Sequence, residues 1–140
     1  MKTMNLKASD LMTTSVITIK AGNALSHADA EMRLAGIRHL PVVDDRNRLV
    51  GIISHRDLLR ALAKSKKGTV HVVEFMARDV KTVAASAPAR EATALMLEHK
   101  IGSVPVLGSD GQLVGLLTET DFLRLAHEVL SGSSTSVADR

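Results

Sequence analysis

The sequence predicts a mixed α/β (α+β) fold: two tandem β-α-β-β-α repeats, each about 55 residues long, packed face to face about a pseudo-twofold axis. Three observations predict it. Sliding the 140-residue chain by 64 positions aligns residues 10–60 on 74–124 without a gap, and sixteen of the 51 pairs are identical, among them Met12/Met76, Pro41/Pro105, Gly51/Gly115 and Asp57/Asp121. Each copy then passes through the same order of period-two and period-3.6 apolar patterns. Finally, a unit this small buries too little apolar surface to be comfortable alone, so the two are expected to cover one another.

In the first copy, Val16-Ile17-Thr18-Ile19 is β-branched throughout and reads as a strand. Asn23 is placed to cap a helix whose apolar residues Leu25, Ala28, Met32 and Ala35 recur at three- and four-residue spacing, and Gly36 stops it. Leu40-Pro41-Val42-Val43 is a second strand, where Pro41 is acceptable only at an edge or at the first position. Asp44-Asp45-Arg46-Asn47 is turn chemistry, Leu49 to Ile53 completes a hairpin, and Ser54 opens a helix through Leu58, Leu59 and Leu62. The second copy repeats this order, with Pro88 near the first helical position, Gly102 after the helix and Asp110-Gly111 as the hairpin turn. The expected boundaries are 8–63 for the first repeat, 64–71 for a connector, 72–130 for the second repeat and 131–140 for a polar, disordered tail. Methionines at matching positions in both copies (Met12, Met32, Met76, Met96) are what core packing predicts.

Composition excludes several functions. The chain is 45% apolar and 24% charged, as a globule with a real core should be. With no signal peptide and no long apolar run, the expected location is the cytoplasm, with no membrane association. Cysteine is absent, which removes disulfides, thiol catalysis and cysteine-ligated zinc. Net charge is +3, and the lysines at 64, 66 and 67 read as a solvated connector. Two phenylalanines with no tyrosine or tryptophan leave almost no stacking platform for single-stranded nucleic acid. The six histidines form no ligand motif, no Walker loop occurs, and no nucleophile stands beside a base, so the chain reads as a non-enzyme with no metal site.

The stretch Gly51-Ile52-Ile53-Ser54-His55-Arg56-Asp57 returns as Gly115-Leu116-Leu117-Thr118-Glu119-Thr120-Asp121. Each copy ends an apolar run and sets a hydroxyl residue three positions before an aspartate at the mouth of a helix. Ser/Thr-x-x-Asp is a capping box. A helix start with free N–H groups is also an anion site, and an ionised carboxylate beside it can accept both hydroxyls of a cis-diol.

Together with Ile37-Arg38-His39-Leu40-Pro41-Val42-Val43-Asp44 and Ile101-Gly102-Ser103-Val104-Pro105-Val106-Leu107, this pattern resembles the CBS (cystathionine β-synthase) domain pair, or Bateman module, over about residues 8 to 130. The resemblance implies a sensor whose clefts between repeats bind an adenosyl ligand: AMP, ADP, ATP or S-adenosylmethionine. It implies that Asp57 and Asp121 hold ribose hydroxyls, that Ser54 and Thr118 contact a phosphate, and that Arg56 and Thr120 flank that phosphate. It joins Ser54, Arg56 and Asp57 to Lys81, Ile101, Gly102, Ser103 and Pro105. The partner site joins Thr118, Thr120 and Asp121 to Ile17, Ile37, Arg38, His39 and Pro41. Ile37, Pro41, Ile101 and Pro105 would form an aliphatic slot for the base, and Arg38 a fork-shaped cationic donor, which ranks the Asp121 site first. Gly102 and Ser103 replace Arg38 and His39 in the second copy, and Lys81 stands where an apolar residue is expected, leaving open one or two occupied clefts. The family also implies a homodimer and an unknown regulated partner. The reading from a different class is a ligand-free dimerisation scaffold.

Overall fold

The computed structural model describes residues 5–64 and 69–132. The chain divides into two compact units. A continuous unit runs from Ile17 to Val80, and a split unit combines the residues up to Val16 with those from Lys81 onward. These divisions cut across the sequence repeats: in each unit the leading segment is the one that the 64-residue offset assigns to the other copy. The middle of the expected connector (65–68) and the tail from residue 133 lie outside the described residues.

In the continuous unit the elements are β1 (Ile19–Lys20), α2 (Leu25–Ala35), β2 (His39–Val43), β3 (Leu49–Ser54), α3 (His55–Lys64) and a 3-10 turn at Val72–Glu74. The split unit holds α1 (Ala8–Leu11), β4 (Val83–Ala84), α4 (Ala89–His99), β5 (Ser103–Leu107), β6 (Leu113–Thr118) and α5 (Glu119–Leu130). Each unit carries one three-stranded sheet, ordered β1-β2-β3 and β4-β5-β6, with a parallel first pair and an antiparallel hairpin. This is the expected mixed α and β architecture in tandem copies.

The leading segments are fastened by equivalent backbone bonds. In the split unit Ala89 N–H donates to Leu6 C=O (2.8 Å) and Ala8 N–H to Ala87 C=O (2.8 Å). In the continuous unit, 64 positions away, Leu25 N–H donates to Val70 C=O (2.7 Å) and Val72 N–H to Asn23 C=O (2.9 Å). The helix starts are therefore satisfied from outside by backbone carbonyls, which corrects the expectation for Asn23. Ala24 is the N-cap of α2, while the Asn23 side chain accepts the Lys20 N–H at 2.8 Å and closes a turn before the helix. Gly36 ends α2 in the left-handed conformation, φ 66°.

The expected strand at 16–19 shrinks to Ile19–Lys20, paired in register with Val42 and Val43. That shortening also accommodates the proline of the central strand. Pro41 faces Ile52, whose N–H and C=O both bond Ala77 (3.0 and 2.8 Å) on the far side. Pro41 thus sits in a non-hydrogen-bonded pair, and its missing N–H faces the side where β1 does not reach. Pro105, Leu116 and Thr13 repeat the arrangement (2.9 and 3.0 Å).

Each unit has its own core. Leu25, Ala28, Met32, Leu40, Val42, Ile53, Leu58, Ala61, Val72 and Met76 close the continuous one. Ala8, Leu11, Ala92, Val104, Val106 and Leu117 form the other, with Met12 and Met96 packed against it. Of the repeated methionines, Met32 and Met76 are buried core residues, as their spacing predicted, and Met12 and Met96 are partly buried against the other core. The repeated glycines leave room for two of them. A Cβ on Gly51 would stand 2.7 Å from Met76 Sδ and 2.9 Å from the Ala77 carbonyl, and one on Gly115 would collide with the Met12 side chain.

Candidate functional site

In the continuous unit the hairpin brings the predicted residues to one end. His39 pairs with Ser54 across β2 and β3, and His55 N–H donates to Arg38 C=O at 2.7 Å. Where β3 becomes α3, Ser54 and Asp57 form a reciprocal box. Asp57 N–H donates to Ser54 Oγ (3.1 Å), while Ser54 N–H and Oγ–H both donate to Asp57 Oδ2 (3.0 and 2.9 Å). One carboxylate oxygen is thereby committed to the helix start. The other, Oδ1, lies 3.6 Å from Arg60, and the Asp57 side chain keeps 21% of its surface open. Arg38 and Arg56 are exposed; Ile17 and Ile37 are half-buried against the core.

The split unit repeats the frame with different chemistry. Ser103 pairs with Thr118, and Glu119 N–H donates to Gly102 C=O at 3.2 Å. Thr118 N–H and its hydroxyl donate to Asp121 Oδ2 at 2.8 and 3.3 Å. Here the second oxygen is engaged as well: the Thr13 hydroxyl donates to Asp121 Oδ1 at 3.4 Å, and Arg124 lies 3.9 Å from it. The Asp121 side chain is 7% exposed. Thr13 was not among the residues singled out from the sequence. Its signal was present in the alignment, since Ala77 occupies the same position in the other copy, also paired to the hairpin edge, and carries no hydroxyl to reach Asp57.

Both units thus place the hydroxyl–acid pair beside the strand run that carries Ile37 to Pro41 or Ile101 to Pro105. Pro41 and Pro105 are fully buried, Ser103 is buried, Ile101 packs on the split unit's core and Lys81 is half-buried. Thr120 is exposed on the first turn of α5. By exposure the two acids rank Asp57 before Asp121, the reverse of the order that Arg38 suggested. Among the described residues no group of three or more His, Asp or Glu could hold a metal ion, and no helix is long and apolar enough to cross a membrane.

Comparison with known proteins agrees with this geometry. The CBS domain model matches twice, over residues 8–64 and 72–128. An uncharacterized 17.7 kDa protein of Acidianus ambivalens is 32% identical over 126 residues, covering 90% of this chain and 76% of its own. Inosine-5'-monophosphate dehydrogenase of Methanocaldococcus jannaschii is 32% identical over 118 residues, and the matched part is 84% of this chain but 23% of that enzyme. Among solved structures, the CBS domain pair of protein MJ0100, in complex with 5'-methylthioadenosine and S-adenosyl-L-methionine, superimposes with a TM-score of 0.81 at 31% identity, covering 89% of this chain and 98% of that one. CBSX2 in complex with AMP gives a TM-score of 0.76 at 30% identity, covering 88% and 97%.

Proposed function

We propose that this chain, which belongs to the CBS domain family, is a non-catalytic regulatory module that binds an adenosyl ligand (AMP, ADP, ATP or S-adenosylmethionine) and signals by a change of conformation. The observation that carries the reading is the division of labour within the capping acid. Asp57 spends one oxygen on the start of α3, while its second faces Arg60 at 3.6 Å in a side chain that is 21% exposed, so holding the helix and accepting a ribose hydroxyl are compatible tasks. Asp57 and Asp121 are the ribose acceptors, with Asp57 the more accessible. Ser54, Thr118 and the adjoining helix starts suit a phosphate, Arg38 and Arg56 add charge-assisted donors, and Thr120 stands beside them. Ile17, Ile37, Pro41, Ile101 and Pro105, with His39, Gly102 and Ser103, flank the base. The ligands in the MJ0100 and CBSX2 complexes support the adenosyl class. Because a ligand shifts an equilibrium only through unequal affinity for its two states, the signal passes to a partner protein through the conformation that binding favours. The setting is a cytoplasmic homodimer.

Calorimetry with AMP, ADP, ATP and S-adenosylmethionine tests this, on wild type and on Asp57→Asn and Asp121→Asn, which keep a cap acceptor. Loss of one diol acceptor is expected to weaken binding about tenfold, or roughly 1.4 kcal/mol. Equal heats in all three proteins would remove the ribose assignment.

The second reading, a ligand-free dimerisation scaffold, is favoured by a different observation. Leu59 and Leu123, equivalent positions on α3 and α5, are 55% and 71% exposed. Absence of heat with all four ligands, in a protein that sediments as a dimer, would select it.

A further inference from the structure

The split unit contains a cavity of about 410 Å³ between its leading segment, the start of α4 and the inner face of α5. Leu6, Leu11, Phe122 and Leu125 supply its apolar wall, and Lys7 and Arg90 stand at its margin. None of these residues belongs to the hydroxyl–acid pairs. We propose that this cavity binds a small amphipathic carboxylate, its hydrocarbon body on the apolar wall and its charge on Lys7 and Arg90.

Size, chemistry and the contrast with the continuous unit all lead there. The volume falls within the range of small-molecule pockets, which are apolar with a few polar groups at fixed points. Both cations are exposed; Asp10 accepts the Lys7 backbone N–H at 2.8 Å, and no ion pair to the Lys7 ammonium or the Arg90 guanidinium is seen among the described residues, so an anionic headgroup meets two side-chain charges. The equivalent positions of the continuous unit lack this combination. Leu25 stands where the split unit has Ala89 and is 3% exposed in the core, so a larger side chain occupies the corresponding place. Ser26 replaces Arg90, and His71, which replaces Lys7, lies 3.6 Å from Glu74. The duplicated frame carries the small residue and the two cations together in the split unit only.

Sodium octanoate serves as the probe, titrated calorimetrically into the full-length protein, with octanol as its uncharged counterpart. Saturable octanoate binding is expected, with octanol weaker by about two- to fivefold. Ala89→Leu, which copies Leu25, is expected to weaken octanoate at least about tenfold by filling the space. Arg90→Gln, an exposed change that leaves the core untouched, is expected to weaken octanoate about twofold and to reduce its preference over octanol, Lys7 retaining the remainder. AMP heats should be the same in both variants as in wild type. No saturable octanoate heat, or equal octanoate binding by wild type and both variants, would overturn the proposal. So would a dimer of wild type that Ala89→Leu dissociates, because that would assign the cavity to a second copy of the chain.

Discussion

The continuous and split units share one hydrogen-bonded frame and differ in what that frame leaves open. In both, a capping box starts the last helix, a glycine admits a methionine, and a leading segment clasps the helix start. Yet the Asp57 side chain is the more exposed of the two, and Asp121 has a threonine hydroxyl on its second oxygen. The core around α3 is filled by Leu25 and Leu58 where the face of α5 borders a cavity. The backbone contacts recur at equivalent positions in both units. Side chains outside those contacts are free to diverge, and the chemistry has diverged there.

The largest test of this contrast concerns the paired glycines. Gly51→Ala would press a Cβ against the Ala77 carbonyl as well as Met76, whereas the three atoms nearest a Cβ on Gly115 all belong to the Met12 side chain, whose sulfur and Cγ move more readily than a backbone carbonyl. Urea unfolding is expected to show a loss of about 1–3 kcal/mol for Gly51→Ala and less for Gly115→Ala. Equal losses would mean that the close backbone approach is not the reason for glycine at 51.

A smaller effect separates the two acids. Thr13→Val removes the hydroxyl from Asp121 and is expected to cost about 0.5–1.5 kcal/mol. The reciprocal Ala77→Thr should reduce the accessibility of Asp57 and weaken adenosyl binding there without loss of stability. If neither substitution moves ligand affinity, the difference in accessibility between the two acids has no functional weight.

The smallest effect lies in the turns. Asp44 accepts N–H bonds from Arg48 (3.0 Å) and Arg46 (2.8 Å), and these hold its carboxyl below the ordinary value. The equivalent residue is Gly108, and Asp110 accepts the Gln112 N–H instead. A lowered folded-state value means that Asp44 stabilises the protein above the ordinary carboxylate range. The contribution fades as pH falls through the lowered value. The stability difference between wild type and Asp44→Asn should therefore be visible near neutrality and vanish in acid; a difference independent of pH would contradict the assignment.

Local chemistry made much of this legible before any coordinates. The hairpins, the stop at Gly36, the capping boxes and the repeated core methionines all depend on residues close in sequence or on the repeat itself. What escaped depends on distant partners. Val16-Ile17-Thr18 has strand composition, but β1 is only as long as its pairing with Val42 and Val43. Asn23 has cap chemistry, but the Leu25 N–H is taken by Val70 from 45 positions away along the chain. The Thr13–Asp121 bond spans 108 positions, beyond the reach of any local pattern, although the Thr13/Ala77 mismatch pointed to it.

The division of the chain also sets a timetable for its maturation. The continuous unit has all its parts once Val80 has emerged from the ribosome, and domains tend to fold as units in the order they appear. The split unit cannot close so early. Ala8 and Leu11 precede the continuous unit in the chain and belong to a core whose Leu117 follows it, so this leading segment must wait until the whole of the continuous unit has been made before its counterpart appears. During that interval one half of the molecule stands finished while the other is still open to whatever reaches its apolar face first.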